Sequence, residues 1–83
     1  MQVILTKRAK KYYLSQDKTT RKRLDEGLAD LEKEPPQGDI ISVLGVADTF
    51  RLRIGGYRLL FVIANNIITV TKIQPRGQVY KNL

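Results

Sequence analysis

Phe50-Arg51-Leu52-Arg53-Ile54-Gly55-Gly56-Tyr57-Arg58-Leu59-Leu60-Phe61 reads as a β-hairpin, and the remainder of the chain can be placed around it. Phe50, Leu52 and Ile54 are apolar while Thr49, Arg51 and Arg53 are polar, the period of a strand with one dry face. Gly55-Gly56 supplies a two-residue turn, and Tyr57 to Ile63 is apolar at nearly every position, as a central strand must be. Such a turn sets Ile54 opposite Tyr57, Arg53 opposite Arg58, Leu52 opposite Leu59 and Phe50 opposite Phe61. Directly opposed residues share a face. One face therefore holds Phe50, Leu52, Ile54, Tyr57, Leu59 and Phe61; the other holds Arg51, Arg53 and Arg58.

Asn65-Asn66 marks a second turn and Ile67 to Ile73 a third strand. If that turn also has two residues, Thr69 and Thr71 join the arginine face. Pro75-Arg76-Gly77 breaks the strand and leaves a short tail ending at Leu83. Towards the N-terminus, Val3, Ile4 and Leu5 form a brief strand, and Thr6 is suited to cap a helix through Ala9, Tyr12 and Tyr13. Ser15-Gln16-Asp17 is a turn whose aspartate caps a second helix. There Leu24, Leu28 and Leu31 make one apolar stripe, until Pro35-Pro36 stops it. Gly27 costs that helix about 1 kcal/mol relative to alanine, which a close approach of the two helices would explain. Residues 39–48 read as a loop or irregular strand. The expected fold is α+β in the order β-α-α-β-β-β, a helical hairpin on one face of a four-stranded, mostly antiparallel sheet, with the other face bare.

At 83 residues the chain has room for a single domain, 1–83. It carries 15 Lys+Arg against eight Asp+Glu, a net charge of +7 that asks for a polyanionic partner. The charge is segregated: Lys7 to Arg23 is strongly basic, Asp25 to Asp39 acidic, and the rest basic again. With no cysteine there is no disulfide, thiolate zinc site or cysteine nucleophile, and with no histidine the usual neutral-pH proton carrier is missing. No stretch is apolar for long enough to span a bilayer and no signal peptide is visible, so the expectation is a cytoplasmic protein without a membrane partner.

Arginines on an exposed strand are often merely hydrated. Two of them directly across a ladder repel, however, and a surface needing only solubility would interleave glutamates. Guanidinium forks with hydroxyls beside them, here Thr49, Thr69 and Thr71, match the needs of phosphate oxygens. Tyr80 lies in the tail with Arg76 and Lys81. Nearby cations lower a phenol's pKa, so Tyr80 could take the proton of a ribose 2′-hydroxyl while arginines stabilise a pentacovalent phosphorus and Lys81 or Arg76 assists the leaving oxygen. The carboxylates are spread along a helix rather than converging on a phosphate, so the reaction is read as metal-independent, without a cofactor.

Phe50 to Phe61, the Ile/Val-rich strand after it, and Pro75-Arg76-Gly77-Gln78-Val79-Tyr80 together resemble the RelE/ParE superfamily of toxins from type II toxin–antitoxin systems. The resemblance spans nearly the whole chain. It implies a RelE-like fold and an mRNA interferase, a ribosome-dependent endoribonuclease that cuts mRNA in the A site by 2′-hydroxyl attack and so inhibits translation. It matches Arg58 to the arginine that stabilises the transition state, Arg76 to a phosphate-binding arginine and Tyr80 to the general base. Arg51 falls where RelE-type members carry one strand lysine. Thr49 falls where they carry the other, leaving Arg53 as the candidate substitute. The implied partners are an acidic, RelB-like antitoxin, the ribosome with its mRNA, and operator DNA only through the antitoxin complex. Two alternatives stand beside this reading: a ParE-like toxin that poisons DNA gyrase by binding, and a non-catalytic nucleic-acid-binding co-repressor.

Overall fold

The computed structural model describes residues 1–75. Its elements are β1 (Gln2–Leu5), α1 (Lys7–Ser15), α2 (Lys18–Glu32), β2 (Asp39–Ser42), β3 (Thr49–Ile54), β4 (Tyr57–Ala64) and β5 (Ile67–Pro75). The sheet has five strands in the order β1-β5-β4-β3-β2, with β1 parallel to β5 and every other pair antiparallel. The extra strand relative to the sequence reading is β2. Asp39-Ile40-Ile41-Ser42 is too short to show a period, and it becomes a strand by pairing with β3 rather than through its own pattern.

Both turns are the tight ones that the sequence predicts. Gly55 takes a positive φ of 56° while Asn65 and Asn66 take 54° and 63°, the left-handed conformations that glycine and asparagine tolerate best. The resulting β3–β4 register is the predicted one, including Arg53 opposite Arg58.

The core lies between the helices and one face of the sheet. Leu24 and Leu31 of α2 and Ala9 of α1 are buried there with Leu52, Leu59, Phe61, Ile68, Val70 and Ile73 from the strands. Each fully buried leucine or phenylalanine contributes about 1.5–3 kcal/mol. Phe50 stacks on Phe61 with ring centroids 5.6 Å apart. Thr6 and Asp17 cap their helices, accepting from the amides of Ala9 at 3.2 Å and Thr20 at 2.8 Å. Gly27 is explained differently from the sequence expectation: it faces the sheet, not α1. A Cβ there would lie 3.3 Å from Ile54 and 3.4 Å from Leu52, so the glycine lets α2 settle onto β3. Among the described residues, no helix is long and apolar enough to cross a membrane.

Candidate nucleic-acid interface

Register assigns the sheet face away from the helices. One row across the sheet is Asp39, Arg53, Arg58 and Gln74; the next is Ile41, Arg51, Leu60 and Lys72. Arg51 and Arg58 are half-buried on this face, with their Nε atoms shielded from solvent, while Lys72 is exposed. The Nε of Arg51 has no hydrogen-bond partner among the described residues. A guanidinium partly stripped of water gains more from an anion than a fully hydrated one, because a charge-assisted bond replaces less solvation.

The arginines do not form the unpaired trio that the sequence suggests. Arg53 donates from Nε to Asp39 Oδ2 at 2.9 Å, and its Nη2 lies 2.8 Å from the same oxygen. Asp39 is the only carboxylate that register places on this face among the described residues, and it is already committed to Arg53. Thr49 donates its hydroxyl to the Ala47 carbonyl at 3.0 Å, which uses the proton it would have offered an anion. Thr69 takes its predicted place on the arginine face, opposite Val62. Arg76, Tyr80 and Lys81 lie outside the described residues.

Lys72 is the cation that sequence reasoning missed. Continuing strictly from the Asn65-Asn66 turn, Leu60 would face Thr71 and Leu59 would face Lys72, leaving the ammonium in the core. A bulge between Leu60 and Phe61 instead pairs Phe61 with Val70 and Leu60 with Lys72, so Thr71 becomes the extra residue. From there on every side chain changes face: Lys72 and Gln74 turn outwards and Ile73 is buried. The signal available in the sequence was the cost of burying Lys72.

The tyrosines of α1 are not candidates for a phenolate. Tyr13 donates to Asp25 Oδ1 at 2.6 Å, and this bond is the main reason its pKa lies above the ordinary value; burial is the main reason for Tyr12. A concavity of about 400 Å³ lies elsewhere, bordered by Ile4 of β1, Tyr13 and Leu14 of α1 and Leu28 of α2, and none of the predicted site residues lines it.

A family model for the ParE toxin of type II toxin–antitoxin systems matches residues 3–80 of the chain. No curated protein matches it. Among solved structures, the archaeal RelE–RelB complex from Pyrococcus horikoshii OT3 contains a chain 30% identical to this one, with a TM-score of 0.76 over 93% of this chain and 96% of that one. The RelB–RelE antitoxin–toxin complex from Methanococcus jannaschii matches at 18% identity and TM-score 0.77, covering 96% and 98% of the two chains. The intact E. coli RelBE toxin–antitoxin complex matches at 22% identity and TM-score 0.70, covering 89% and 94%. At these lower identities, the last two speak for the fold alone.

Proposed function

The chain belongs to the RelE/ParE superfamily of toxins from type II toxin–antitoxin systems, and from that premise we propose that it is a ribosome-dependent endoribonuclease acting on mRNA in the A site. The observation that carries this reading is the cationic sheet face. Arg58 opposes Arg53 across the ladder, Arg51 and Lys72 share the adjacent row, and Asp39 pairs with Arg53.

In the proposed reaction the ribose 2′-oxygen attacks the neighbouring phosphorus and the 5′-oxygen leaves, giving a 2′,3′-cyclic phosphate and a 5′-hydroxyl. Tyr80 removes the 2′-proton as base, and Arg58 stabilises charge building on the equatorial oxygens. Arg76 binds phosphate and Lys81 gives the departing 5′-oxygen its proton, while Arg51 holds the backbone. The antitoxin partner is proposed on two grounds: the similar Pyrococcus chain was solved with RelB, and a charge of +7 suits an acidic clamp.

Mapping of transcript 5′ ends after induced expression tests the proposal. Codon-phased cuts are expected, and Arg58→Ala and Tyr80→Phe should relieve growth arrest while far-UV circular dichroism stays native. Full toxicity of both variants would overturn the mechanism. A second reading, gyrase poisoning, is favoured by the match to the ParE family model; DNA damage without transcript cuts would select it.

A further inference from the structure

The bulge in β5 does more than bury Ile73. We propose that Lys72 is a further RNA-phosphate-binding residue of the sheet face, delivered there by the Leu60/Phe61 bulge and kept in place by Thr6 and Thr71. The inference rests on the reading of this face as an RNA site.

Three observations carry it. First, Lys72 sits across Leu60 from Arg51, so two strand spacings, about 10 Å, separate their backbones, a span that these long side chains can bridge to one nucleic-acid strand. Second, Lys72 is exposed and makes no ion pair or hydrogen bond among the described residues. A bulge selected only to bury Ile73 would be served equally well by threonine or glutamate at position 72, and glutamate would relieve the positive charge of Arg51 in the same row. A second cation in that row raises the repulsion instead, which a bound anion offsets. Third, the bulge is tied down. Thr71 donates its hydroxyl to the Leu60 carbonyl at 3.3 Å, and the Thr6 hydroxyl donates to the Thr71 carbonyl at 3.2 Å while also accepting from Ala9. The cap of α1 thereby holds the backbone that turns Lys72 outwards. Thr6 and Thr71 are positioning residues, since neither is assigned a contact with RNA.

The test uses the full chain and a single-stranded 2′-O-methyl RNA, which lacks the attacking hydroxyl and so reports binding without cleavage. Fluorescence anisotropy as a function of salt should show Lys72→Gln binding several-fold more weakly than wild type, with the slope of log K against log salt shallower by about 0.7, the loss of one phosphate contact. Lys72→Arg should restore the slope. Thr71→Val should mimic the loss although Lys72 is intact, and Thr71→Ser, which keeps the hydroxyl, should restore it. An unchanged slope in Lys72→Gln overturns the assignment of Lys72, and an unchanged slope in Thr71→Val overturns the positioning role. Transcript mapping of the wild type keeps the two readings apart. A shallower Lys72→Gln slope without cleavage in cells retains the contact and rejects the nuclease; cleavage with an unchanged slope does the reverse.

Discussion

At the scale of the residue, the most consequential contact on the sheet face is the pairing of Arg53 with Asp39. Their side chains are 42% and 47% exposed, so this is a surface ion pair, and such pairs contribute about 1 kcal/mol or less. Its larger effect is on charge: it withdraws one guanidinium from any anion. Asp39→Ala is therefore expected to shift the urea-unfolding free energy by less than about 1 kcal/mol, yet to steepen the salt dependence of RNA binding by about 0.7 as Arg53 becomes available. Anisotropy titrations at several salt concentrations would decide it; a slope equal to wild type would mean that Arg53 does not reach the nucleic acid even when released. The pairing of Arg53 with Arg58 was legible in the sequence because Gly55-Gly56 fixes a local register. The pairing with Asp39 was not, because it depends on β2, which only contact with β3 defines.

At the scale of the element, the helix starts were the most legible features, since each depends on one side chain three residues from the amide it satisfies. Asp17 accepts the Thr20 amide, and that bond, with a lesser one from the Thr20 hydroxyl, lowers its pKa below the ordinary 3.8. A carboxyl whose folded pKa is depressed adds stability above its unfolded pKa and loses that increment as pH falls through the folded value. Asn caps a helix about as well as Asp but cannot titrate. Asp17→Asn should therefore lack one component of the acid dependence of Tm. Relative to wild type, its melting temperature should rise as pH drops below about 4, with the difference constant above pH 5. Melting curves between pH 2.5 and 6 measure this, and parallel curves would show that the cap does not sense its charge. The bulge in β5 lies at the other extreme of legibility. Hairpin chemistry at Asn65-Asn66 predicts an unbroken ladder that places Thr71 on the arginine face, and only the conflict between that ladder and a buried Lys72 reveals the slip.

At the scale of the whole molecule, the question is whether +7 acts as a diffuse field or through a built site. Diffuse charge steers encounters, whereas directed cations hold a phosphate backbone in register. The fold separates the two. Lys7, Lys10 and Lys11 are exposed on α1, which packs on one face of the sheet, whereas Arg51, Arg58 and Lys72 share the other. Neutralising either trio to glutamine removes three of 15 basic residues against eight acidic, leaving +4 in both variants. A diffuse field predicts equal losses. A built site predicts that Arg51→Gln/Arg58→Gln/Lys72→Gln abolishes growth arrest and transcript cleavage, while Lys7→Gln/Lys10→Gln/Lys11→Gln keeps most of both. Thermal unfolding of each variant shows whether its fold survives, which matters for the half-buried arginines. Equal toxicity of the two folded variants would refute the sheet-face site, because identical net charge leaves position as the only difference between them.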